Sequence, residues 1–178
     1  MDPNIRERIA ASIDAFRLPA YQEIPDVGLY LEQTAKYLTD CLAPVQNTPV
    51  TGSMISNYVK KGFIPSPQKK QYDADRVVYI LFTAVAKNVL ALEDIVELIN
   101  MQKQKYSLAV AYDYFCSELE NMLAFVVGLK DEPEKNIGVT EETAEKALLR
   151  NVITSVSHSL YLTATFAALK AARKGNGK

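Results

Sequence analysis

Between positions 53 and 70 lies the chain's densest set of groups able to hold an anion or read an amide edge. They are Ser53, Ser56, Asn57, Lys60 and Lys61, then Lys69 and Lys70. Ammonium groups hold phosphates and set register without reading sequence. A carboxamide such as that of Asn57 can bridge adenine N6 and N7, and serine hydroxyls can serve base edges of either kind. The chemistry this set could do is therefore contact with DNA. Surface lysines are common and usually only solvated; what separates these from an ordinary wet face is their arrangement in two groups.

The first group has to sit on a helix. At about 100° per residue, Tyr58 and Val59 fall beside Ile55, while Ser53, Ser56, Asn57, Lys60 and Lys61 fan across the other side. Thr51 is placed to N-cap this helix, and Gly62 to end it in a left-handed C′ conformation. Phe63, Ile64, Pro65 and Pro67 follow, and the basic turn Gln68-Lys69-Lys70-Gln71 closes on Tyr72. A short helix docked by one face and followed by a proline-framed basic turn is the layout of a winged helix-turn-helix.

Charge is distributed to match. Residues 1–50 carry four basic and seven acidic side chains, whereas residues 51–76 carry five basic and two acidic ones. With a net charge of −1 overall, indiscriminate coating of nucleic acid is excluded and a confined anion contact is favoured. Hydrophobic residues make up 48% of the 178, enough for the core of one domain or two small ones sharing it. Cys41 and Cys116 belong to no CxxC pair, so two reduced thiols in a cytoplasmic protein are expected. With Arg6, Glu7 and Arg8 close together and no apolar h-region beside them, a secretory signal is not expected.

The neighbouring elements read as helices. Residues 3–17 place Ile5, Ile9, Ile13 and Phe16 on one side, and Ala20 to Pro25 form an extended connection. Asp26 is expected to cap a helix over 27–43, stopped by Pro44. Asp73 caps the next, 74–88, and a further helix opens at Ala91-Leu92-Glu93. From Gln104 the pattern changes. Leu108, Tyr112, Phe115, Leu119, Met122 and Val126 recur at spacings of 4, 3, 4, 3 and 4, the seam of a helix packed on neighbours. Thr140 is expected to cap a last long helix with Glu141 and Glu142 in its first turn and Lys170, Arg173 and Lys174 in its last, matching the helix dipole. A turn of the length of Lys130 to Gly138 predicts that these two helices pack antiparallel.

Asn151 to Leu169 contains no formally charged residue. It approaches the length of a bilayer span, but its load of Ser, Thr, Asn and His argues against a membrane. Asn151, Thr154, His158, Tyr161 and Thr165 form an uncharged polar seam there, suited to close helix–helix contact in a homodimer or within the chain or, failing those, to the wall of a pocket for a small-molecule effector.

Three stretches carry a family resemblance. LPAYQEIPDVGLYLEQ (18–33), TGSMISNYVKKGFIPSPQKKQYD (51–73) and LALEDIVELI (90–99) resemble the blocks of a Gram-positive bacterial family defined as domain of unknown function 1836. A more distant likeness is to the MerR-type DNA-binding domain, through Tyr58, Gly62, Phe63, Ile64, Tyr72, Leu92 and Ile95. That likeness implies a winged helix-turn-helix. Where MerR-type domains place an arginine two residues before the helix tyrosine, this chain has Ser56; Asn57 replaces a tyrosine and Lys70 a wing arginine.

Together these observations predict an all-α fold with a short wing. Residues 1–25 form an N-terminal helix and connection, 26–103 a MerR-like winged helix-turn-helix, and 104–178 a C-terminal antiparallel helical pair for dimerisation or sensing. The expected function is a cytoplasmic, homodimeric, sequence-specific transcriptional regulator; the rival is a protein–protein adaptor using the same helix face. No P-loop, GxGxxG, GxSxG or metal-ligand spacing occurs, so neither enzyme activity, metal nor cofactor is expected.

Overall fold

In a computed structural model of the chain, the described residues are 3–46, 48–134 and 143–175. The first helix, α1 (Pro3–Asp14), buries Ile5, Ile9 and Ile13, with Phe16 just behind them. It stops three residues before the expected end. Phe16 N–H turns back to Ile13 O at 3.0 Å, and the chain beyond is held by two later carboxylates: Glu120 Oε1 accepts Leu18 N–H at 2.9 Å and Asp113 Oδ1 accepts Tyr21 N–H at 2.8 Å.

Asp26 does not cap a helix. Gly28 at φ +72° turns the chain out of helical space, Leu29–Tyr30 form strand β1, and α2 runs Leu31–Leu42. Gln33 Oε1 accepts Tyr30 N–H at 2.9 Å and so fixes this start. From α2, Thr39 holds the loop that delivers the chain to the next helix. Its hydroxyl lies 2.8 Å from Ala35 O and accepts Val50 N–H at 3.0 Å. Thr39→Val is isosteric but leaves that buried N–H without a partner, so it should cost about 1–2 kcal/mol in urea denaturation. A loss under about 0.5 kcal/mol would show that the clamp is incidental.

Helix α3 (Gly52–Lys60) follows, then β2 (Gln71–Tyr72), which pairs antiparallel with β1 in the register Leu29↔Tyr72 and Tyr30↔Gln71. Two strands of two residues each are the whole described sheet, so the molecule is all-α in class. Asp73 caps α4 (Ala74–Ala86), which is buried on nearly every side. Next come α5 (Leu92–Lys103) and α6 (Leu108–Val126), the latter capped by Ser107. The seam expected on α6 is core: Tyr112, Phe115, Leu119 and Met122 are buried and Leu108 and Val126 half-buried.

The last helix, α7 (Ala144–Gly175), packs against α1, α4, α5 and α6. Thr140, Glu141 and Glu142, expected to open it, lie outside the described residues. Its direction is a correction. Tyr106 OH meets Thr143 Oγ1 at 2.9 Å, Lys146 Nζ lies 5.3 Å from the Tyr114 ring centroid, and Arg150 Nε lies 3.4 Å from Glu118 Oε1. Position numbers rise together on the two helices, so α6 and α7 run parallel, not antiparallel. The connection allows this because it first doubles back along α6. Asn121 Oδ1 accepts Glu134 N–H at 2.9 Å, and the Asn121 amide donates to Glu134 O at 3.1 Å. One cluster of buried side chains runs from Ile5 to Leu160, so the three expected segments share a single core.

Candidate functional site

Helix α3 is set by its two ends and its buried face. Thr51 Oγ1 accepts Met54 N–H at 3.2 Å, and Gly62 takes φ +75° just beyond Lys61. Ile55 and Tyr58 are buried, as the wheel predicts. Gly52 allows close docking on α2: a Cβ there would sit 3.3 Å from Leu31 Cγ and 2.7 Å from Glu32 Oε1. The outer face carries Ser53, Ser56, Asn57, Lys60 and Lys61, all exposed. With Glu32 close to its N-terminal end, the cationic end of α3 is its C-terminal one.

The second group is presented by a tight hairpin. Gln68 and Gln71 exchange both backbone hydrogen bonds, N–H to O distances being 3.0 and 2.8 Å, which leaves Lys69 and Lys70 as a two-residue loop. Their φ angles are +48° and +66°. A type I′ loop demands such angles at both positions and normally takes Asn-Gly. Two lysines there hold the left-handed conformation at a steric cost of about 1–2 kcal/mol each. Arg76 braces the stem: Nε donates to Ser66 O at 2.6 Å, and its guanidinium is paired with Asp73. Arg76 thus serves to position the loop, leaving the anion-facing charge to the lysines.

None of Lys60, Lys61, Lys69 and Lys70 forms an ion pair among the described residues; Lys61 Nζ lies 6.0 Å from the Phe63 ring centroid. Four of the seven expected residues therefore share one face of α3 with Lys61 at its C-terminal cap, and the other two occupy a hairpin tip that begins eight positions after Lys61. Sequence reading missed Tyr30. It was expected inside a helix but stands in β1 beside Gln71, 54% exposed, as an aromatic neighbour of the hairpin. The only signal for it was Gly28, whose positive φ ends any helical reading of 27–30.

On α7 the polar seam divides. Asn151 and His158 are exposed. Thr154, Tyr161 and Thr165 turn toward the protein: the Thr154 hydroxyl donates to Arg150 O at 2.8 Å, Tyr161 packs on the core, and Thr165 Oγ1 is buried. The outward stripe instead runs Leu148, Asn151, Ser155, His158, Leu162, Phe166, with Leu162 52% and Phe166 58% exposed. By length and composition Ala144–Arg173 is also apolar enough to cross a bilayer, but Leu149, Val152, Ile153, Val156, Ser157 and Leu160 are buried against the other helices.

Both thiols are free. Cys116 is buried and its pKa is pushed up to about 12 by that burial; the pKa of half-buried Cys41 is raised for the same reason. Such thiols stay protonated and inert at neutral pH.

The family model described as "Domain of unknown function (DUF1836)" matches residues 19–115, and the chain belongs to that family. The match covers β1 through the middle of α6, so α1 and α7 lie outside it. No curated protein and no solved structure matches the chain.

Proposed function

We propose that the chain is a DNA-binding transcriptional regulator of the cytoplasm, in which α2, α3 and the 68–71 hairpin act as a MerR-like winged helix-turn-helix. The observation that carries this is the hairpin tip. Strained backbone persists where the surrounding structure over-determines it, and it clusters at binding sites. Two exposed, unpaired lysines held at positive φ present two ammonium groups as far from the body as this loop reaches. Lys60 and Lys61 would add phosphate contacts at the end of α3, while Ser53, Ser56 and Asn57 would face base edges. So few contacts per chain give modest affinity, which favours a homodimer with two half-sites. The uncharged outward stripe of α7 is the surface best suited to join them.

Selection of genomic fragments on the purified protein should yield a defined motif. Asn57→Ala should then relax one position of it by about 1–3 kcal/mol and leave the salt dependence alone. A selected motif unchanged by that substitution would remove Asn57 from the reading set. Ser56, where an arginine would strengthen DNA contact, favours the second reading, an adaptor that offers the same α3 face to an acidic protein partner. Failure to enrich any DNA fragment would point to it.

A further inference from the structure

A second feature lies away from α3 and the hairpin. Between α4, α5, α6 and α7 there is a cavity walled by Val78 and Phe82, Ile99, Leu108 and Phe115, and Leu149. Its volume is about 50 Å³. Phe82 and Phe115 meet edge-to-face in its wall, with ring centroids 5.1 Å apart. Of the apolar side chains that line it, Tyr79, Ile99 and Ala111 are only half-buried, so water wets apolar surface there at a free-energy cost.

The polar groups around the cavity are few, and two are already engaged. The Gln102 amide donates to Glu145 O at 2.7 Å and Tyr106 OH meets Thr143 Oγ1. Lys103 is different. It is exposed, its Nζ stands 4.6 Å from the Tyr79 ring centroid, and among the described residues lining the cavity it is the one formal charge, with no carboxylate opposing it. Apolar walls with one cation at the mouth match a guest with an apolar body and one anionic end. The small volume restricts that guest to a short chain or a single ring.

We propose that this cavity binds a small monocarboxylate with an apolar body, the carboxylate meeting Lys103. The cavity joins α4, α5 and part of α6 from the family-matched segment to Leu149 of α7 outside it. A guest there touches both the unit that carries the lysines and the helix that carries the outward stripe. Any effect on DNA affinity rests on the DNA-binding reading, whereas the site does not.

Calorimetric titration of the full chain, without DNA, tests the site using pentanoate, pentanol and pentylamine. Pentanoate should bind saturably, one per chain, and pentylamine more than about tenfold more weakly. Lys103→Gln should cut pentanoate affinity about fivefold, as expected for one exposed charge contact, and leave pentanol unchanged. Ala111→Leu fills the cavity and should abolish binding of both at unchanged helical content. Should that variant fail to fold, Lys103→Gln still decides, since its side chain is exposed. No saturable pentanoate binding, equal binding of pentylamine, or undiminished binding by folded Ala111→Leu would overturn the proposal. Pentanoate binding by a protein that retains no DNA would uphold the site and sink only the DNA-binding reading.

Discussion

Replacing Lys69-Lys70 by Asn-Gly is expected to make the protein more stable and a weaker DNA binder at once. The two positions have φ of +48° and +66°, which Asn and Gly adopt with little or no penalty and lysine does not. Relief of that strain at both positions should raise the unfolding free energy by about 2–4 kcal/mol in total. Two phosphate contacts should be lost in the same step, lowering the salt slope by about two and the affinity at moderate salt by roughly ten- to a hundredfold. Opposite signs in the two measurements are what a strained functional loop produces. If stability fell, the lysines would be making native contacts not evident in their exposure. If DNA affinity held, the hairpin would not be part of the interface.

An equally large effect is expected at the other end of the chain. Leu162→Glu combined with Phe166→Glu places two like charges on each copy of the outward stripe of α7. Both positions are more than half exposed, so each chain should keep its helical content, and stability should move by no more than about 0.5 kcal/mol. Sedimentation should show a dimer for the parent and a monomer for the variant, with loss of tight binding to a site made of two half-sites. A variant that remains dimeric would place the interface elsewhere. The same substitutions at Thr154 and Thr165 would not test this cleanly, because those side chains face the protein.

Local signals in the sequence were legible where one residue type settles one conformation. Thr51 and Asp73 cap the helices they precede, Gly62 ends α3, and the wheel of Ile55, Tyr58 and Val59 gives the buried side of α3. Tertiary capture was not legible. Leu18 and Tyr21 are held by carboxylates about a hundred residues later, so α1 ends early for a reason its own residues do not contain. The direction of α7 was lost the same way. Loop length suggested a simple reversal, but Asn121 pins Glu134 back along α6, and Thr143 just before α7 meets Tyr106 at the other end.

The candidate site divides along the same line. Charge and hydroxyl content on α3 followed from composition and period. Strain at Lys69 and Lys70 did not, because lysine is a poor marker of a type I′ loop and only the paired Gln68 and Gln71 reveal one. On α7 the absence of charge singles out residues 151–169, but a helix with so weak a contrast between its faces does not say which one is buried. The exposed Leu162 and Phe166 supply what the pattern lacked.

The central claim is that Lys60, Lys61, Lys69 and Lys70 meet DNA phosphates, and salt is its most direct probe. Fluorescence anisotropy of a labelled duplex, titrated with the protein at several KCl concentrations, gives the slope of log affinity against log salt. The parent should show a steep negative slope, and reversal of all four lysines to glutamate should flatten it by about three to four per chain and weaken binding to every sequence alike. A variant that binds DNA as tightly as the parent, with the same slope, would contradict the account.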